Sequence, residues 1–303
     1  MRSHTRRELF TASAAALLAG RLRALPLSEI KLGITTDEID DDVLTAVKFL
    51  KQYGLGWAEV RNIWGKYNTE QPIEKVREAK SILDEYGVRV SIEGTGFFKV
   101  PLPPETAEGQ RKIEEQWKLL EASMERAKVF GTPKIRVFTF MLGKTPEPLT
   151  PKTYGRIYDL LREAARRAKG FQLAVENIGG GYVATGEQAG ELLKNVKEAN
   201  VGITWDPNNA GESGEKSFPD GYRKMDPQRI FHVHLRDYKH QGDHVVWTAV
   251  GQGEFDNLGQ IRAMRKDGYQ GTFTLETHWR DPKGKMYSTE TSLKALLKVI
   301  EAA

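Results

Sequence analysis

Four residues with an affinity for hard cations each close a short apolar run in the second half of the chain: Glu176 in LAVEN, Asp206 in GITWD, His234 in FHVHLRD and Glu276 in TFTLETH. One carboxylate or imidazole at the end of a β-prone run is common. Four in succession, each followed by a helical pattern, read as a single metal site. Three carboxylates and one imidazole form a mostly oxygen donor set, which suits a divalent ion such as Mn²⁺, Mg²⁺ or Co²⁺ better than the sulfur-rich closed sites of structural zinc. One divalent ion is therefore expected, Mn²⁺ first, with Mg²⁺, Co²⁺ and Zn²⁺ as the other occupants such a site accepts. Its expected role is catalysis.

Ligands so far apart in sequence need a scaffold that brings strand ends together. From residue 31 onward, short β-prone runs alternate with longer helical ones: KLGIT, WAEVR, VRVSIE and IRVFTF precede the four metal-tipped strands. Helical spacing is visible in Val43, Val47 and Leu50, in Ile73, Val76, Ala79 and Leu83, in Ile113, Trp117 and Leu120, and in Ile157, Leu160, Leu161 and Ala164. Further helices are expected near 186–199, 219–228, 257–267 and 288–301. Strict alternation predicts an α/β fold, a single closed (β/α)8 TIM barrel, in which the carboxyl ends of all strands converge on one face. An open doubly wound sheet would carry a Gly-rich phosphate turn after its first strand, and GITTDEID has none.

With 303 residues and no linker-like tract, the chain is expected to hold one barrel domain (26–303) behind a leader (1–25). The leader carries Arg2, Arg6, Arg7, Arg21 and Arg23 against Glu8, so the 45 basic and 41 acidic residues of the whole chain become 40 and 40 in the remainder. The basic pI belongs to the leader, and a neutral body argues against nucleic acid as a partner. Arg6 and Arg7, followed by Glu8-Leu9-Phe10 and an Ala/Leu run, resemble a twin-arginine signal, which implies periplasmic or secreted delivery of a folded protein. The alternative is an N-terminal extension of a cytoplasmic enzyme. The apolar run is short for a membrane span, which needs roughly 20 residues, leaving a leader anchor as the only membrane attachment considered. The absence of cysteine excludes disulfide and thiolate chemistry.

The runs VEN, WDPNN, HVHLRD, GQGEFD and LETHW resemble, in order and spacing, the xylose isomerase-like TIM barrels described as sugar phosphate isomerases/epimerases, over residues 31–300. The resemblance carries the metal ligands onto Glu176, Asp206, His234 and Glu276, and implies that Glu176 and Glu276 also act as the acid–base pair. Residues i and i+2 of a strand share a face, and His234 lies nearer the carboxyl end, so His232 is expected to pack below it. The implied chemistry is removal of the proton beside a ketone, with a metal-stabilised enediolate and return of the proton for epimerisation or isomerisation of a keto-sugar. Members of this type usually have a His three residues after the ligand Asp and an Arg six after the ligand His. This chain has Asn209 and His240 there, and an amide cannot exchange protons.

Other residues on the carboxyl face are expected to contact substrate or one another. Arg236 shares a face with His234 and either holds a substrate oxygen or pairs with an acid. Glu59 and Arg61 share a face and either meet substrate or form a structural ion pair across the barrel. His278 and Trp64 complete the candidate substrate contacts, and Phe97, Phe98, Trp205, Trp247 and Trp279 lie in or beside the same loops. Asp237 and Asp256 are expected as turn or cap residues, and the glycines of GQGEFD as shaping the seventh loop. The expected partner is a small carbohydrate, homo-oligomerisation being left open. The rival to an isomerase is a metal-dependent lyase or dehydratase of a 3-keto-sugar, 3-keto-glycoside or keto-cyclitol, which shares the first proton abstraction. An abasic-site endonuclease would need further His and carboxylate ligands and a basic groove, against six histidines, one of them in the leader.

Overall fold

The computed structural model describes residues 29–242 and 244–303. The twin-arginine-like leader, residues 1–25, lies outside the described residues. Eight parallel strands close into a barrel: β1 (Lys31–Thr35), β2 (Trp57–Val60), β3 (Arg89–Gly94), β4 (Lys134–Val137), β5 (Gln172–Glu176), β6 (Val201–Trp205), β7 (Ile230–Leu235) and β8 (Thr272–Leu275). Closure is made by β1 pairing with β8, Lys31 opposite Thr272 through Ile34 opposite Leu275. These strands are buried on both faces, as a helix-wrapped parallel sheet requires, and all five residues of β6 are buried.

The surrounding helices form where the apolar spacing places them. In Pro151–Arg167, Thr150 caps the first turn, Pro151 occupies an early position where its missing N–H costs nothing, and Ile157, Leu161 and Ala164 are fully buried against the sheet. Burial of a leucine or isoleucine of this kind stabilises by roughly 1.5–3 kcal/mol. In Gly186–Asn195, Thr185 and Gln188 form a reciprocal capping box. Ala107–Phe130 ends at Gly131, whose φ of 72° closes the helix in the left-handed region.

One expected helix does not form. Residues 219–228 contain short turns at Ser217–Gly221, Tyr222–Lys224 and Pro227–Arg229 in place of a continuous helix. Pro219 and Pro227 remove amide donors there. Close packing adds a second reason: a side chain at Gly186 would lie 2.3 Å from the Gly221 carbonyl oxygen, so the Gly186–Asn195 helix rides directly on this segment. Among the described residues, no helix is long and apolar enough to cross a membrane.

Candidate metal centre

Glu176 is the last residue of β5, Asp206 and Glu276 directly follow β6 and β8, and His234 lies within β7. Barrel closure brings all four to one point, with ligand atoms within 4.8 Å of one another. His234 Nδ1 faces the three carboxylates, 3.2 Å from Glu276 Oε2, 3.5 Å from Glu176 Oε1 and 3.7 Å from Asp206 Oδ2. Its other nitrogen, Nε2, lies 2.8 Å from Glu59 Oε2.

Neither His234 Nδ1 nor Glu276 Oε2 has a hydrogen-bond partner, although both are buried. Buried polar atoms are almost always paired, and two orphans facing each other among carboxylates are what a group of residues that could hold a cation would present. The potential agrees with this. Burial alone would lower the His234 pKa, yet Glu59, Glu276 and Glu176 overcome it and raise it well above the ordinary histidine value. A place that favours positive charge so strongly fits a divalent ion held by one imidazole and three carboxylates.

Local structure aims each ligand. Asp206 caps a short helix: its Oδ1 accepts from the backbone N–H groups of Asn208 and Asn209 at 2.9 and 3.0 Å, leaving Oδ2 for the cluster. Burial works against its charge, but Arg236, 2.6 Å from Oδ2, and His234 hold the carboxyl below its usual pKa. Asn177, the last residue of the VEN run, donates to the Asp206 carbonyl and accepts from the Asp206 N–H, both at 2.8 Å, locking the ends of β5 and β6 together.

The expected substrate contacts divide. Asn209 donates to the Asn177 carbonyl at 2.9 Å and approaches Glu176 Oε1 at 3.4 Å, while its oxygen accepts from Arg236 at 2.6 Å. Arg236 also touches His278 and lies 4.1 Å beneath the Trp247 ring, so these residues line the cluster's rim. His278 Nε2 is 3.5 Å from Glu276 Oε1.

Three expected contacts do not reach the cluster. Glu59 is fully buried beneath it, bonded to His232 at 3.1 Å, to His234 and to Arg136 at 2.8 Å, so it orients the His234 ring and is shielded from substrate. His240 sits on an exposed antiparallel hairpin, Asp237–Gln241 against His244–Thr248, and pairs with Glu254 at 2.7 Å. Trp64 points its indole N–H at Asp42, 3.3 Å away, and carries Lys75 over its ring. Phe97, Phe98 and Trp205 are fully buried packing residues.

The most important residues the sequence reading passed over are Arg136, Asp37 and Glu38. Arg136, buried at 1% exposure, contacts Glu59, Glu176 at 3.4 Å and Glu276 at 3.6 Å from inside the barrel. A lone arginine inside the apolar run IRVFTF was its only signal. Asp37 and Glu38 anchor Arg61, which in turn holds Glu276 at 2.5 Å, and Glu59 pairs with Arg136, so Glu59 and Arg61 each make the structural ion pair across the barrel that was the alternative to substrate contact.

The GQGEFD run closes the site's flank. Asp237 accepts backbone N–H groups from Gly251, Gly253 and Phe255 at 2.8, 3.1 and 3.1 Å, tying the loop to the end of β7. A β-carbon at Gly253 would stand 2.2 Å from Asp237 Oδ1 and 2.3 Å from the Tyr238 carbonyl oxygen. Gly253→Ala is expected to destabilise the protein by about 1–3 kcal/mol through this overpacking, read as a lowered denaturation midpoint. Asp256 caps the helix Asn257–Lys266, accepting from Gly259 N–H at 2.8 Å.

Fold and cluster together define an α/β barrel with a carboxylate–imidazole centre at the carboxyl ends of its strands. The chain belongs to the xylose isomerase-like TIM barrel family, whose model matches residues 47–302. A 3-dehydroshikimate dehydratase of Pseudomonas aeruginosa is 30% identical over 128 residues, spanning 39% of this chain and only 20% of that protein. Among solved structures, the IolI protein with bound zinc superposes with a TM-score of 0.72 at 18% identity, covering 90% of this chain and 99% of that one. The 3-keto-D-glucoside 4-epimerase YcjR of E. coli gives 0.68 at 17% identity, covering 88% and 99%.

Proposed function

We propose that this protein is a divalent-metal-dependent enzyme that removes the proton beside the ketone of a keto-sugar or related carbohydrate and returns it as an isomerase or epimerase. The observation that carries the reading is the pair of partnerless buried atoms, His234 Nδ1 and Glu276 Oε2, inside a cluster that also contains a second glutamate. A divalent ion bound by Glu176, Asp206, His234 and Glu276, with Mn²⁺ the first choice and zinc as in the IolI structure, would supply Lewis-acid polarisation of the substrate carbonyl.

The chain's own residues do the rest. Glu276 is held in its charged form: burial opposes this, and His234 and His278 outweigh burial to place its carboxyl well below the ordinary range. A charged carboxylate accepts a proton, and Glu276 and Glu176, both beside His234, are the pair we assign to taking and returning it. Arg236 and Asn209 fix the orientation of Asp206 and Glu176, and the Trp247 ring over Arg236 screens it from water.

A second reading, a lyase or dehydratase, is supported by Asn209. Its amide, bonded to Asn177 and Arg236, supplies no proton at the place where a histidine stands in related epimerases. The dehydratase similarity points the same way. The deciding experiment incubates Mn²⁺-loaded and metal-stripped protein with keto-sugars and 3-keto-glycosides in D₂O. Deuterium is expected at the carbon beside the ketone only with metal; recovery of a stereoisomer marks the epimerase, and an enone product marks the lyase. No exchange with any of them would remove the proposal.

A further inference from the structure

The amino ends of four adjacent strands gather charge that the metal centre does not use. β1, β2, β3 and β4 stand side by side in the barrel and open on Lys31, Trp57, Arg89 and Lys134, whereas the other strands open on the uncharged Gln172, Val201, Ile230 and Thr272. A cavity of ≈ 360 Å³ lies at these first residues, on the face opposite the metal centre, and Lys80 and Asp84 of the Ile73–Glu85 helix also line it. That volume suits a small ligand, whose pockets run from roughly 300 to 1,000 Å³.

The charged atoms are fixed at this mouth by contacts of their own. Lys31 Nζ donates to the Gln270 carbonyl at 2.9 Å, and Gln270 lines the same cavity. Lys134 Nζ reaches across the barrel's end to the Phe231 carbonyl of β7 at 2.7 Å. The Arg89 guanidinium lies 3.9 Å from the centre of the Trp57 ring. Lys80 pairs with Asp84, the one acidic residue in the wall, and among the described residues no carboxylate lies within ion-pair distance of Lys31, Arg89 or Lys134.

A carbonyl accepts a hydrogen bond and leaves the charge of its donor uncompensated. Each of the two lysines spends one N–H on a carbonyl and keeps the others free, and the Arg89 fork has no protein acceptor among the described residues. Burial lowers the Lys134 pKa, and the charge of Lys31 lowers it further, as follows when two ammoniums share one opening. Elsewhere the barrel domain is balanced at 40 basic and 40 acidic residues, so three uncompensated cations around one cavity are a local departure. A plug for the barrel's end would need hydrogen-bond donors but no net charge, and neutral amides would serve it at lower electrostatic cost.

We propose that this mouth is a binding site for a compact dianion, a tetrahedral oxyanion or a dicarboxylate, held by Lys31, Arg89 and Lys134. It shares no residue with the metal centre, and it does not depend on the metal-dependent reading above.

Sulfate and succinate, a tetrahedral dianion and a dicarboxylate that both hold Mn²⁺ weakly, are titrated calorimetrically into the Mn²⁺-loaded protein and its Arg89→Gln and Lys134→Met variants. Acetate is the singly charged control, and sodium chloride keeps the ionic strength constant so that general screening is the same throughout. At least one dianion is expected to saturate a single class of site about tenfold or more tighter than acetate, and each variant to weaken it about tenfold, the scale of one lost charge-assisted hydrogen bond. The tighter of the two tells tetrahedral oxyanion from dicarboxylate. Arg89 is exposed, so Arg89→Gln keeps the test decisive even where thermal melts show that Lys134→Met is unfolded. No saturation by either dianion, equal affinity for acetate, or undiminished affinity in either folded variant overturns the inference, the last because the anion would then be bound elsewhere.

Discussion

Glu276→Gln and Glu176→Gln are each expected to lower turnover at least about 100-fold, the usual scale for loss of a general acid or base. Glutamine keeps the volume and one oxygen donor, so the variants should retain some Mn²⁺ while losing the proton-accepting carboxylate. The two should differ in kind. One is expected to exchange the substrate proton with solvent yet form no stereoisomer, because it retains the group that takes the proton and lacks the one that returns it. Arg61, 2.5 Å from Glu276, makes that variant the more perturbed in structure, which denaturation midpoints of both would register. Normal turnover in both metal-loaded variants would move the acid–base roles to other residues, His278 and Arg236 first.

The second large effect is expected beneath the cluster. Glu59 accepts from His232 and His234 and pairs with Arg136, all four groups being fully or almost fully buried. Glu59→Gln removes the nearest carboxylate from Arg136 and leaves it Glu176 and Glu276 at 3.4 and 3.6 Å, so the expected cost lies below the roughly 3–5 kcal/mol of a fully unpaired buried charge. It also frees His234 to rotate, which for a metal-ligating histidine typically lowers metal affinity about 10- to 100-fold. The pH dependence has a definite sign. Burial favours the neutral acid, but Arg136 and His234 hold the Glu59 carboxyl well below its ordinary value. A depressed folded-state pKa contributes stability that is present above the unfolded carboxyl value, about 4.3, and is lost as pH falls below it. Denaturant titrations at neutral and acid pH should therefore show wild type losing its advantage over Glu59→Gln on acidification. An equal gap at both pH values would mean that Glu59 is not ionised in the folded protein.

The barrel and the meeting of Glu176, Asp206, His234 and Glu276 were legible because both depend on local patterns: strand-sized apolar runs, helical spacing between them, and a donor residue at each strand's end. The inner network was not, for a physical reason. Glu59, Arg136 and His232 lie on three strands that meet across the barrel interior, and a charged residue inside a β-prone run gives no indication of which distant charge will neutralise it. Asp37 and Glu38 were hidden in GITTDEID, which reads as an ordinary turn until Arg61 is seen between them and Glu276. His240 misled in the opposite sense. Its spacing after His234 suggested a site residue, but the chain turns away at Asp237 into a hairpin and carries it to Glu254. The missing helix at 219–228 could have been anticipated, since Pro219, Gly221 and Pro227 outweigh an inferred alternation.

Pairing of β1 with β8 has a consequence for biosynthesis. Glu276, the last of the four clustered residues, follows the last barrel strand, and its N–H is held by the Leu235 carbonyl at 3.1 Å only once that strand has docked between β7 and β1. A nascent chain still on the ribosome with its last strand unmade therefore presents at most three of the four donors, and its open sheet edge has nothing to close against. The four side chains are thus brought together as one event with ring closure, and an ion that needs all of them would bind only once the whole barrel has formed.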